Sequence, residues 1–241
     1  MTHDLRLDLV RERMARAAER SGRALSDVTL VAVTKTIEVD RIRAAIEAGA
    51  VHLGENRVQE AEAKFEEAGV TGIDTDKVSR GGITLHMIGG LQRNKAGRAA
   101  ELFDWVQSVD RAELLSALEK ARAEGGNSQP LPVLLEVNTT GEEAKSGIAP
   151  TELPRLVDAL ANCPHLRGMG LMTIARLGAD ERELRGTFAS LRRLLDALKE
   201  SHPGEGDWKH LSMGMSDDYE CAIEEGATMV RLGRAIFGAR A

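Results

Sequence analysis

Aromatic residues make up only 3% of this chain. Proteins that hold single-stranded nucleic acid stack bases on such rings, so that class is not expected. A positive charge balance is missing too: 32 lysines and arginines stand against 38 acidic residues, a net −6. The field of the whole molecule repels phosphate backbones, and any anion site has to be local. Cysteine is limited to Cys163 and Cys221, far apart and outside any CxxC pattern. Neither a disulfide framework nor a zinc site is indicated. The six histidines show no HxxxH or HExxH spacing, so no metal is expected. No apolar run is long enough to span a bilayer, and MTHDLRLDLVRERMARAAER is charged throughout where a signal peptide would have an apolar core. A cytoplasmic protein is the expectation.

What remains is the material of a folded α/β domain. Hydrophobic residues reach 42%, enough for a sizeable core, and 241 residues is an ordinary length for one barrel. Eight β-rich runs stand out: 29–34, 51–54, 85–89, 105–109, 132–138, 168–173, 210–213 and 229–233. Between them lie stretches with apolar residues at helical spacing: 39–48, 58–68, 111–124, 151–162, 183–200 and 219–225. Asp110 and Ser216 read as helix N-caps; Gly49, Gly69, Gly125 and Gly226 read as stops. Runs such as VAV and VLLEV are apolar without alternation, as parallel strands covered on both faces require. The pattern predicts a single (β/α)8 TIM barrel, one domain over 1–241. A first helix, 4–20 within an N-terminal segment 1–24, precedes it and packs over the bottom or side with no role in the barrel itself. Residues 71–84 read as a flexible insertion and 125–129 as a flexible loop.

Reactive groups in such a barrel gather at the carboxyl ends of the strands. Lys35 ends the first apolar run, VAVTKT. A lysine partly withdrawn from water becomes a nucleophile for aldehydes and ketones. The plain alternative is a strand-end lysine reaching for solvent. At the far end of the chain, MVRLGRAIFG turns from strand to helix at Gly233 and Arg234, where backbone N–H groups would meet a phosphate. The preceding loop, SMGMSDD, adds the hydroxyls of Ser212 and Ser216. Ordinary strand-to-helix punctuation would explain either segment alone. Together they ask for a phosphorylated carbonyl compound: a sugar phosphate in a Schiff-base aldolase, or pyridoxal 5′-phosphate.

The segments TLVAVTKT, HLGENRVQE, HMIGGLQRNK, FDWVQSVD, VLLEVNTTGEEAKSGI, LRGMGLMTI and HLSMGMSDDYECAIEEGATMVRLGRAIFG resemble, in order over 28–238, the YggS/PROSC family of pyridoxal-phosphate-binding proteins. More distantly they resemble the N-terminal barrel domain of alanine racemase and the eukaryotic-type ornithine decarboxylases. The resemblance implies a Schiff base on Lys35, a phosphate held by Ser212, Ser216 and the Gly233–Arg234 backbone, and Arg231 facing the pyridine nitrogen. Asn56, Met172 and Met213 would line the ring or its approach. One departure stands out: after the glycine of VRxG the family usually has threonine, and this chain has Arg234.

Racemisation needs an acid–base group on each face of the reacting carbon. In the racemases the second is a tyrosine from a C-terminal β-domain; here the chain ends at Ala241 and its only tyrosine is Tyr219. The resemblance therefore implies a non-catalytic carrier acting in vitamin B6 and amino- and keto-acid homeostasis. A weak or narrow racemase-like enzyme is the alternative. Recipient apo-enzymes, a monomer, and no nucleic-acid or membrane partner are expected. Gln92, Arg93, Asn94, Lys95 and Arg98 form a basic patch, read as helix solvation or as a second anion site. EEAKSG lacks the GxxxxGK[ST] frame, and LSMG lacks the first glycine of GxSxG, so nucleotide binding and serine hydrolysis are excluded. His86 reads as a satisfied buried histidine. Glu55, Asp217 and Asp218 read as helix caps that offset nearby arginines.

Overall fold

In a computed structural model, described over residues 5–68, 82–126, 129–142 and 145–239, strand and helix alternate from Thr29 onward. The strands are β1 (Thr29–Val33), β2 (His52–Glu55), β3 (Thr84–Met87), β4 (Trp105–Val109), β5 (Leu131–Glu136), β6 (Leu166–Met172), β7 (Gly206–Ser212) and β8 (Met229–Leu232). Each pairs in parallel with the next, and β8 closes onto β1. The helices are α1 (Leu7–Arg20), α2 (Val39–Glu47), α3 (Val58–Ala68), α4 (Ala96–Leu102), α5 (Ala112–Glu124), α6 (Leu153–Ala161), α7 (Glu181–Ser201), α8 (Tyr219–Glu224) and α9 (Arg234–Phe237). No helix among the described residues is long and apolar enough to cross a membrane.

Alternation along the strands builds two interiors. Outward-facing Leu53, Leu85, Val133, Leu171 and Val230 pack in one cluster with Ile42, Phe65, Leu114 and Leu195 from the helices. Phe65 and Phe188 are fully buried in this layer, each contributing about 2–3 kcal/mol. Inward-facing Leu134, Met172 and Met229, from three different strands, form a smaller cluster inside the barrel. A register shift between β5 and β6 displaces this alternation. Gly170 sits in it, and a Cβ there would come within 1.9 Å of the His210 carbonyl oxygen on β7.

The first helix does have a place in the barrel. Its buried residues Leu7, Val10, Met14, Ala17 and Ala18 form one stripe. Arg13 and Arg20 bind Glu220 and Glu224 of α8 (2.7 and 2.6 Å), and Arg11 donates to the carbonyls of Ala48 and Gly49 after α2. With α9 only four residues long, α1 fills the eighth position of the outer ring, between α8 and α2. Other boundaries moved as well. β7 starts at Gly206, because GDWK pairs with β6 at Gly168 without a β-rich composition. Ile83 is buried and Thr84 opens β3, so the end of the expected insertion belongs to the sheet; 71–81 lie outside the described residues, as do Gly69 and 127–128 of the second expected loop. Arg111 rather than Asp110 is the N-cap of α5, and Asp218 rather than Ser216 that of α8.

Candidate functional site

A cleft of about 530 Å³ opens at the carboxyl ends of the strands. Its lining brings together Lys35 after β1, Asn56 after β2, Ser216 after β7, and Arg231, Gly233 and Arg234 at β8. Apolar walls come from Val33, Ile88, Ile174 and Phe237. That volume lies within the range of small-cofactor pockets.

The backbone on either side of Lys35 is held from α3. Lys64 Nζ donates to the Thr34 carbonyl at 2.8 Å and to Glu55 Oε1 at 3.3 Å, and it also binds Glu60. Thr34 Oγ1 donates to Glu55 Oε1 at 2.8 Å, while the Thr36 amide donates to Glu60 Oε1 at 2.6 Å. Thr36 stands at φ +60°, a left-handed conformation that a β-branched residue adopts only when held there. Two threonines pinned on one helix fix where the half-buried Lys35 leaves the chain. Glu55 is fully buried, and burial pushes its carboxyl up against the pull of Lys64. Glu55 Oε2 has no hydrogen-bond partner among the described residues.

On β8, the strand that pairs with β1, Arg231 is 4% exposed. It donates to Ser212 Oγ at 2.7 Å and to the Thr173 carbonyl at 2.9 Å. Burial lowers its pKa to about 10, against the attraction of Glu136 and Asp218. Glu136, on the inner face of β5, is driven by burial up to about 7, Arg231 opposing and Asp110 adding to the rise. Asp218 accepts from the Met215 amide at 2.5 Å and ties down the loop after β7. Gly214 in that loop has φ +96°, and a Cβ there would lie 2.6 Å from Ala222 Cβ. Ser216 Oγ accepts from the Ala235 amide at 3.1 Å, joining the loop to the first turn of α9.

The family described as alanine racemase, N-terminal domain, matches residues 5–241. The pyridoxal phosphate homeostasis protein of Escherichia coli (strain K12) is 42% identical over 237 residues, 96% of this chain and 94% of the relative. That of Haemophilus influenzae is 39% identical over 234 residues, 97% and 94%. The chain belongs to the pyridoxal phosphate homeostasis protein family. The structure of PipY of Synechococcus elongatus PCC7942 with PLP bound is similar at TM-score 0.79 and 36% identity, covering 95% of this chain and 100% of that one. Alanine racemase of Corynebacterium glutamicum shares the fold at 18% identity and TM-score 0.66 over 97% of this chain and 62% of its own.

In this pyridoxal phosphate homeostasis family member, three residues marked from sequence lie off the cleft lining. Ser212 is fully buried inside the barrel, with its hydroxyl engaged by Arg231 and by Gln107 at 2.6 Å. Met213, one residue on, faces the other way and packs in the helix-facing layer. Met172 faces inward but packs with Leu134 and Met229. Arg234 is on the rim, paired with Asp217, both more than half exposed. Glu55 accepts from Thr34 and Lys64 and offsets a lysine rather than an arginine. His86 is fully buried, with bonds to Gln107 and His52. Glu60, Lys64 and Gln107 had not been singled out, while Asp218, read as a helix cap, is the N-cap of α8. The Glu60–Lys64 pair has i, i+4 spacing, and Gln107 is a polar residue in the apolar run WVQSV; both signals were in the sequence. The basic patch splits: Gln92, Arg93 and Asn94 line a groove of about 1100 Å³ between α4 and α5, while Arg98 pairs with Glu62 and Glu101. Asp158, His202 and Glu205 bring one ligand atom each within 4.8 Å of one another on the outer ring, a grouping that spacing alone did not show.

Proposed function

We propose that this chain binds pyridoxal 5′-phosphate in the cleft through a Schiff base on Lys35 and serves vitamin B6 homeostasis as a carrier without turnover. The observation that carries this reading is the pinned lysine: the Thr34 carbonyl and the Thr36 amide are anchored to Lys64 and Glu60 of α3 on both sides of Lys35, at the wall of a cleft of suitable size. The residues present fit the group. Ser216 and the Gly233–Arg234 segment stand where they can hold a phosphate, with Asn56 on the wall and Arg231 below. Bound through a Schiff base, the cofactor would supply an electron-withdrawing pyridine ring. Arg231 can only donate hydrogen bonds, so a ring nitrogen facing it must accept one and stays unprotonated. That makes a weak electron sink and favours holding the cofactor over using it. Ser212 acts at one remove, by orienting Arg231.

Tyr219 is not placed to act as a second acid–base group in the cleft. Tyr219, the single tyrosine, is 3% exposed, lies off the cleft lining and has Arg13 of α1 over its ring at 5.7 Å. The same proposal has the protein act in the cytoplasm as a monomer that hands cofactor to apo-enzymes, which size-exclusion chromatography and transfer assays test.

The test of the cofactor lysine is the visible spectrum with added pyridoxal phosphate. A yellow band in the parent that Lys35→Ala abolishes is the expected result. If the parent forms no band, a sugar phosphate becomes the leading ligand for the same groups.

A further inference from the structure

A run of hydrogen bonds crosses the inside of the barrel from the cleft toward the opposite end. Arg231 Nη1 donates to Ser212 Oγ at 2.7 Å, and Ser212 Oγ donates to Gln107 Oε1 at 2.6 Å. Gln107 Nε2 lies 2.9 Å from His86 Nδ1, and His86 Nε2 lies 3.0 Å from His52 Nδ1. All five side chains come from different strands or from opposite sides of the barrel: β8, β7, β4, β3 and β2.

The first member sets the direction of every other. A guanidinium has donors only. With Ser212 accepting from Arg231, its own hydrogen goes to Gln107 Oε1, which turns the Gln107 amide nitrogen toward His86. His86 Nδ1 then accepts, and the ring hydrogen sits on Nε2, directed at His52. The series is satisfied only while His86 Nδ1 is bare. A proton there meets the Gln107 NH2 head-on. Relief requires Gln107 to reverse, which points its NH2 at Ser212 and leaves the Ser212 hydrogen without its acceptor.

We propose that Gln107 is a positioning residue for Arg231, and that through it the protonation state of His86 is transmitted to the cleft. This rests on the reading that Arg231 faces the bound cofactor. Among the described residues, the groups around His86 include His52 from β2, Trp105 stacked on it from β4 (ring centroids 5.8 Å apart) and, beyond Trp105, His210 from β7. Around Arg231 are Glu136 from β5, Asp218 from the loop after β7 and the Thr173 carbonyl from β6. Glu136 takes up a proton in a neighbouring pH range, so the variants must separate the two.

The experiment has two arms. In the first, the affinity of the whole protein for pyridoxal phosphate is followed by absorbance against pH. Wild type should bind about tenfold more weakly once His86 takes up a proton, as the pH is lowered from 7.5, the loss expected for one charge-assisted hydrogen bond. His86→Asn keeps an acceptor at the Nδ1 position and cannot titrate, so its affinity should fall about tenfold less than that of wild type over that range, and the same difference should persist between Glu136→Gln and the double variant, where Glu136 no longer titrates. Gln107→Glu offers an acceptor both to His86 Nδ1 and to the Ser212 hydroxyl, so a proton on His86 no longer costs Ser212 its acceptor, and this variant should lose the tenfold drop as His86→Asn does. A wild-type slope in His86→Asn overturns the proposal. In the second arm, nitrogen NMR of the cofactor-free protein reads the His86 ring and the Arg231 side chain. The hydrogen on Nε2 at pH 7.5, with Arg231 signals that titrate together with His86, supports the relay; a hydrogen on Nδ1, or Arg231 signals indifferent to His86, overturns it. If no form binds the cofactor, the cleft reading fails, and the second arm still decides the relay.

Discussion

Glu55 and Glu136 hold the same position on different strands, the last residue of β2 and of β5, and both are buried with carboxyls raised by burial. They differ in which way they point. Glu55 faces out of the barrel, meets Lys64 on α3, and so becomes part of the frame that fixes the Lys35 turn. Glu136 faces in, where the nearest strong charge is Arg231, and so tunes the floor of the cleft. Strand parity alone turns one residue type into scaffold and the other into site. The outward acid is neutralised by a partner; the inward one is left near its midpoint at neutral pH.

The largest effect that would test this contrast is Lys64→Met. It strips a buried carboxylate of its cation and should cost about 3 kcal/mol in urea unfolding. Adding Glu55→Gln should restore more than half of that loss, and a double variant as unstable as the single would mean that Glu55 was never charged. Glu136→Gln should act in the opposite direction. The folded-state pKa of Glu136, about 7, lies above the ordinary carboxylate value, so its contribution is fully present at low pH and is lost as pH rises from about 4.5 through 7. The variant should therefore be more stable than wild type by roughly 2 kcal/mol at pH 8, with the gap closing near pH 4.5. Equal urea midpoints at pH 8 would place Glu136 in a polar setting after all. Ser216→Ala removes the acceptor of the Ala235 amide and should cost about 1 kcal/mol of stability together with several-fold in cofactor affinity. The smallest effect belongs to the rim. Asp217→Ala frees Arg234, but both groups are solvated, and thermal unfolding should register less than about 0.5 kcal/mol.

The order of elements was legible because each β-rich run was followed by a helical period, and the two ends of the cleft, Lys35 and Arg231–Arg234, were legible because lysine and arginine are uncommon at the ends of apolar strands. Ser212, Met213 and Met172 lie off the cleft lining, which position along the chain does not show: Met213 faces the helices, and Ser212 and Met172 face inward but are taken up by partners inside the barrel. The interior relay was out of reach in another way. Gln107 and Ser212 are 105 residues apart, and nothing local to either announces the bond between them. Glu60 and Lys64 were within reach, since a helix-spaced acid and base directly follow the second strand.

The docking of α1 sets the order in which this barrel is made. Arg13 leaves the ribosome early, but its partner Glu220 comes 207 residues later. At ordinary rates of synthesis that delay is about 10–40 s. Throughout it the stripe of Leu7, Val10, Met14 and Ala18 can meet only the α2 side of its place in the ring, and the α8 side stays open. A substitution in the α1 stripe should therefore loosen α8 as well as α1.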